Sequence, residues 1–128
     1  MTITDQVVLA LTCWRENRGG GLAGMQSVAN VIMNRAAQRT ETPYEVCVAK
    51  WQFSSMTAEN DPQLGLYPGI AEPAWIQALE IAATAARGEL ADITGGATSY
   101  YALSMATPPY WAAKMTPTVE IAGQAFFK

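Results

Sequence analysis

One carboxylate stands apart in this chain. Glu16 lies where an apolar helical stretch runs into Arg18-Gly19-Gly20-Gly21. The C-terminal end of a helix carries the negative pole of its dipole and favours cations, so helix stability does not account for an acid there. The chain contains no histidine, which removes the Ser-His-Asp triad, the Cys-His pair and nearly every zinc-hydrolase site. Any chemistry has to run on carboxylates. Cleavage of a glycosidic bond asks for a protonated acid at the leaving oxygen and for stabilisation of an oxocarbenium-like centre. Glu16, two residues after Trp14 and ahead of a glycine run that lets a substrate approach the backbone, suits the acid. The alternative is a solvated helix-end glutamate paired with Arg15 or Arg18.

Other candidates are weaker. Glu59, Asn60 and Asp61 resemble part of a calcium loop, but the glycine and the closing glutamate are missing, and the triplet reads as a polar turn before Pro62. No metal and no cofactor is expected. Trp51, Phe53, Tyr100, Tyr101 and Trp111 could stack on sugar faces, although aromatics in a small protein usually pack its core.

The elements that must position these residues are mostly helical. Val7, Ala10, Leu11 and Trp14 share one face of a helix over residues 4–16, with Thr4 or Thr2 as its cap, and Glu16 projects from the opposite side. Met25, Val28, Ala29, Ile32, Met33 and Ala36 repeat at helical spacing through Arg39 and predict the central buried helix. A short helix from Pro43 to about Lys50 and a long irregular stretch from Gln52 to Glu72 follow. Pro73 opens a third long helix, with Trp75, Ile76, Leu79, Ala83 and Ala86 expected inward and Gly88 as its stop. Beyond Thr94-Gly95-Gly96 the pattern turns to extended pieces around 97–103 and 119–127, with a helical turn near Trp111. The class is α+β, mainly α, with a small β element in the C-terminal third.

Half of the 128 residues are hydrophobic, enough for one sizeable core and one domain spanning 1–128. Net charge is −3 and the eight basic residues are scattered, so no basic stripe exists to follow a phosphate backbone and no nucleic-acid partner is expected. The N-terminus lacks the basic start of a secretion signal, and the uncharged runs contain polar or turn residues unsuited to a bilayer span. The expectation is synthesis as a soluble cytoplasmic monomer without membrane insertion. Cys13 and Cys47 lie on apolar helical stretches and are expected as reduced, buried thiols.

Taken together, the segments resemble the cell-wall hydrolase family typified by the spore cortex-lytic enzyme SleB. The opening family box, aromatic-x-Glu-Ala-Arg-Gly-Glu, corresponds to Trp14-Arg15-Glu16-Asn17-Arg18-Gly19-Gly20. The family helix Gly-Gln-x-Ala-Val-Ala-Asn-Val, then Asn-Arg, is similar to Gly24-Met25-Gln26-Ser27-Val28-Ala29-Asn30-Val31 with Asn34-Arg35. Gln52-Phe53-Ser54 resembles the family Gln-Phe-Ser, Gly96-Ala97-Thr98-Ser99-Tyr100-Tyr101 its Gly-Ala-Thr-His-Tyr-Tyr, and Ile121-Ala122-Gly123-Gln124-Ala125-Phe126-Phe127 its Ile-Gly-x-His-x-Phe-Tyr. The departures are Asn17 for alanine, Gly20 for the second glutamate, and Ser99 and Gln124 for the two histidines.

The resemblance implies a lysozyme-like domain that acts on peptidoglycan glycan strands, with Glu16 as the catalytic acid. Met25 or Gln26 would line the cleft; Gln52 and Ser54 would hydrogen-bond the sugar. Tyr100 and Tyr101 would wall the subsite, and Thr98 belongs to the same substrate-binding set. A lytic transglycosylase, closing a 1,6-anhydro ring with one carboxylate, is the expected activity. A muramidase that uses water needs a second carboxylate, for which Glu59, Asp61 and Asp92 are the candidates; Ser54, Thr98 and Asp92 could position the water. A glycan-binding module without catalysis and a helical interaction protein remain the alternatives from other classes. The expected setting is a phage endolysin that reaches the bacterial wall through a membrane pore, with a spore-associated role second.

Overall fold

The computed structural model describes residues 1–128. Helix α1 (Ile3–Asn17) begins at a reciprocal cap. Thr2 Oγ1 accepts from the Asp5 amide at 3.0 Å, and the Asp5 carboxylate accepts from the Thr2 amide at 2.8 Å, which satisfies donors that a helix start leaves free. Asp5 also accepts from the Tyr44 amide at 3.0 Å, so the cap ties α1 to α3 (Pro43–Val48). Between them runs α2 (Gly21–Arg39). A single 3₁₀ turn, Arg18–Gly20, and Gly21 at φ 70° make the corner from α1 into α2. An L-residue rarely adopts that conformation.

The α1 face that is buried consists of Leu9, Ala10, Cys13 and Trp14, while Val7, expected inward, is 44% exposed. On α2, Met25, Val28, Ala29, Ile32 and Ala36 are buried as expected and Met33 packs partly against them. Leu9, Val28 and Ile32 are fully buried, each worth about 1.5–3 kcal/mol of transfer free energy. Both thiols are free and buried in the same cluster. Burial pushes the Cys47 thiol up to about 12, so it stays neutral and behaves as a small apolar group.

Helix α5 (Pro73–Ala86) turns a different face inward from the one its bulkiest residues suggest. Ala78, Ile81, Ala82 and Ala85 are buried, whereas Ile76 and Leu79 are 44% and 38% exposed. In PAWIQALEIAATAA the polar residues Gln77, Glu80 and Thr84 fall on one narrow stripe and leave a wide apolar arc, within which the alanine side admits the close approach of α1 and α2. Its end conforms to expectation, with Gly88 left-handed at φ 72° after the Arg87 cap. The stretch 52–72 is less irregular than expected. It contains a one-turn helix α4 (Ser54–Thr57) and a 3₁₀ turn at Pro62–Gly65, both too short to show a period.

Three antiparallel strands close the chain: β1 (Ser99–Ala102), β2 (Pro117–Ile121) and β3 (Gln124–Phe127), in the order β1-β3-β2. The expected extended piece at 119–127 is thus a hairpin, turned by Ala122 and Gly123 at φ 47° and 79°, the paired left-handed conformation of a two-residue loop. The anticipated turn near Trp111 is a 3₁₀ segment, Tyr110–Lys114. Phe126 packs with Val31 of α2 and Ala97, seating the sheet on the helical layer. Fold class is therefore α+β, mainly α, with the small β element in the C-terminal third as expected.

Candidate active site

Glu16 is half-buried one residue before the end of α1. Two hydroxyls from distant elements hold its carboxylate: Tyr100 donates to Oε1 at 2.6 Å and Ser55 to Oε2 at 2.5 Å. No cation takes part. The chain's one ion pair joins Arg87 to Glu89, so the alternative of a helix-end glutamate paired with Arg15 or Arg18 does not describe this residue. Arg15 is instead buried and donates to the carbonyls of Leu66 and Ser55 at 3.1 and 3.2 Å, binding the 55–67 segment against α1. Arg18 lies 4.0 Å over the Trp14 ring and donates to Gln63 Oε1 at 2.7 Å.

Tyr100 reaches Glu16 because β1 alternates its side chains across the sheet. Its ring packs on Phe126 at 5.4 Å on the face toward the helices. Burial raises the Tyr100 phenol well above its usual value, and the charge of Glu16 and the hydrogen bond to it push the same way, so the hydroxyl stays a proton donor. Tyr101 faces the opposite side, stacked on Phe127 at 5.6 Å with Trp111 edge-on at 6.1 Å. The expectation that both tyrosines wall one subsite is corrected by the strand's two-residue period.

The polar side of α2 places β1. Gln26 and Asn30 both donate to the Ala91 carbonyl, at 2.9 and 3.0 Å, and Asn30 Oδ1 accepts from the Ile93 amide. Asn34 donates to Asp92 Oδ2 and the Ala97 carbonyl at 3.0 and 2.9 Å, and Arg35 donates to the Thr98 carbonyl at 2.6 Å. Burial lowers the Arg35 value, against an opposing contribution from Tyr100. Gln26, Asn30 and Asn34 recur every four residues, a polar stripe beside the apolar face of the helix. That stripe was the available signal for residues that position the segment leading into Tyr100.

Several expected sugar contacts serve the scaffold. Met25 is fully buried in the core and lines no cleft. Gln26 holds the 91 loop. Gln52 Oε1 accepts from Arg39 at 3.1 Å and Arg35 at 3.3 Å. Ser54 donates to Asp61 Oδ2 at 2.6 Å, and its neighbour Ser55 is the hydroxyl at Glu16; a four-residue helix offers no periodicity to tell the two serines apart. Thr98 contributes backbone, accepting from Arg35 and donating its amide to the Phe127 carbonyl at 2.9 Å.

Two of the three carboxylates that might have served as a second catalytic group are engaged. Asp61 accepts from Ser54 and from the Gln63 amide. Asp92 Oδ1 accepts from the Thr94 hydroxyl and amide, and Oδ2 from Asn34 and the Gly96 amide. Glu59 is exposed and lines a concavity with Trp51 and Ser54, with no hydrogen bond to Glu16 or to the two hydroxyls that hold it. The departures at 17 and 20 are linked: a Cβ on Gly20 would sit 2.6 Å from Asn17 Oδ1, and one on Gly24 would sit 2.8 Å from Asn17 Nδ2.

The profile of the cell wall hydrolase family matches residues 19–127. This chain belongs to the cell wall hydrolase family. That family assigns it to the enzymes that degrade cell-wall peptidoglycan. The match begins three residues after Glu16 and takes in α2, α4 and the sheet that surround it. Among solved structures, the catalytic domain of the germination-specific lytic transglycosylase SleB from Bacillus anthracis is 24% identical, with a TM-score of 0.76 over 100% of this chain and 97% of that one. The catalytic domain of the Bacillus cereus SleB protein is 25% identical, with a TM-score of 0.74 over 100% and 92%. No curated protein matches the chain by sequence.

Proposed function

We propose that this cell wall hydrolase is a lytic transglycosylase that cuts the β-1,4 bond between N-acetylmuramic acid and N-acetylglucosamine, with Glu16 as both acid and base. The observation that carries the reading is a half-exposed carboxylate held by two hydroxyls and no cation, while Asp61 accepts from Ser54 and Gln63, and Asp92 from Thr94, Asn34 and Gly96. Glu16 protonates the glycosidic oxygen as the bond to the muramic C1 breaks, and the N-acetylglucosamine side leaves as an alcohol. The resulting carboxylate then takes the proton of the muramic C6 hydroxyl, whose oxygen bonds to C1 and closes the 1,6-anhydro ring. No water is consumed and Glu16 ends protonated, ready for the next bond. Ser55 and Tyr100 keep the carboxylate in one orientation through both proton transfers, a positioning role.

The test is mass spectrometry of soluble fragments released from purified sacculi, before and after borohydride reduction. Anhydro-muramyl ends that resist reduction are the expected product. Reducible muramic acid ends would make water the acceptor and the enzyme a muramidase. Glu16→Gln should stay folded and lose fragment release by several orders of magnitude. A wild type that binds sacculi and releases nothing would leave only a glycan-binding module. The proposed setting is a phage endolysin, for which expression inside a bacterium should lyse the cell only when a pore-forming protein is co-expressed.

A further inference from the structure

The turn Ala49–Gln52 has a tryptophan where glycine is the usual solution. The Gln52 amide donates to the Ala49 carbonyl at 3.2 Å, and Trp51, the third residue, has φ 70°. A left-handed third position is normally filled by Gly or Asn, and a bulky side chain there is strained. Trp51 is nonetheless the most exposed aromatic of the chain, at 85%, so burial in the core does not offset the strain. The turn is also firmly held, because Gln52 Oε1 accepts from Arg35 and Arg39. Strain that stability does not explain points to a contact made with something outside the chain.

The surroundings define what that is. Trp51 borders the chain's largest concavity, about 720 Å³, with Val48, Lys50, Ser54, Glu59 and Asn60 around it. This volume lies in the range of small-ligand sites. The Lys50 ammonium sits 5.0 Å over one face of the indole; the exposure leaves the other face open. The Ser54 and Thr57 hydroxyls are committed to Asp61 and to the Phe53 carbonyl, which leaves the exposed carboxylate of Glu59 and amide of Asn60, together with the Lys50 ammonium, as the polar groups able to meet a ligand. An open indole face with one carboxylate and one carboxamide matches a pyranose ring, whose C–H face stacks while its hydroxyls and acetamido group form hydrogen bonds. Ser54 on the rim and Ser55 at Glu16 are consecutive on α4, so the concavity and the catalytic carboxylate flank the same helical turn.

We propose that Trp51, Glu59 and Asn60 form a further saccharide subsite, which grips an N-acetylhexosamine unit of the glycan strand away from the bond being cut. This rests on the reading of glycan as substrate. Trp51→Gly supplies a sharp test, because glycine relieves the left-handed strain while removing the platform. Titration of an N-acetylglucosamine oligomer into the Glu16→Gln protein, with and without Trp51→Gly, should show about tenfold weaker binding at an equal or higher melting temperature. In the active enzyme the same change should raise KM for soluble glycan strands and spare kcat, and Trp51→Phe should restore part of the affinity. Unchanged affinity, a loss confined to kcat, or a marked fall in melting temperature would overturn the subsite. If Trp51→Gly binds as well as its parent while sacculi are still cut, the subsite fails and the cleavage reading stands. If the wild type cuts nothing yet binds the oligomer through Trp51, the cleavage reading fails and the subsite stands.

Discussion

The Tyr100 hydroxyl and Glu16 Oε1 meet at 2.6 Å across 84 residues of chain, so the sheet sets the carboxylate's orientation as much as α1 does. The bond depends on a sequence of supports, from Asn30 and Asn34 on α2 through the 91–98 segment to β1. A hydrogen bond to a charged group is worth about 1.5–3 kcal/mol, and here that energy is spent on orientation rather than on folding alone.

Tyr100→Phe keeps the ring packed on Phe126 and removes only the hydroxyl. Its kcat for fragment release should fall about tenfold to a hundredfold, with circular dichroism unchanged. Ser55→Ala should act similarly from the other oxygen, and the double variant should approach, without reaching, the loss in Glu16→Gln. Activity at the wild-type level in both single variants would remove the positioning role, and a fall to the Glu16→Gln level in Tyr100→Phe would make the phenol a reacting group.

Asn17 and Gly20 should behave as one unit. The Asn17 amide nitrogen is buried without a hydrogen-bond partner, and the space it fills is the space a side chain at 20 would need. Gly20→Ala alone should therefore destabilise, by about 1–3 kcal/mol for an overpacked site, and Asn17→Ala should be tolerated because it removes a buried orphan donor. In the double variant the penalty of Gly20→Ala should largely vanish, giving a coupling of about 0.5–3 kcal/mol in a chemical-denaturation cycle. Strict additivity would show that Asn17 moves aside freely and that the two departures from the family pattern are independent.

The helical frame was legible because Met25 through Ala36 and the Pro73 to Gly88 boundaries carry strong periodic and capping signals. Glu16 stood out as a candidate because helix stability does not explain an acid at that end, but local spacing left a solvated glutamate open, and the family resemblance was what singled it out. The inward face of α5 was not legible, since Gln77, Glu80 and Thr84 mark only a narrow polar stripe, and which part of the wide apolar arc is covered depends on the partners. Ser55 and Tyr101 show the same limit at the site. Which of two adjacent serines faces Glu16, and which of two adjacent tyrosines, depends on a helical turn and a strand whose registers come from tertiary packing.

Stability should fall in acid and stay level through neutrality. Burial works to raise the Asp5 carboxyl, but the bonds from the Thr2 and Tyr44 amides and the Thr2 hydroxyl outweigh it and hold it below 3.8. Asp92 is likewise pushed up by desolvation and brought below 3.8 by bonds from Thr94, Asn34 and Gly96. A carboxylate with a depressed folded value binds its proton more readily in the unfolded chain. Its contribution is complete above the unfolded value near 3.8 and is lost as pH drops through the lower, folded one. Melting temperature should thus be flat from pH 7 to about 5 and fall below about 4. Asp92→Asn should melt lower than wild type at pH 7 and converge with it as acid protonates the wild-type carboxylate. Because Asp92 anchors the segment that leads into Tyr100, the same variant should lose activity at neutral pH in step with its stability. A wild-type loss centred between pH 5 and 7 would assign the linkage to some group other than these two aspartates.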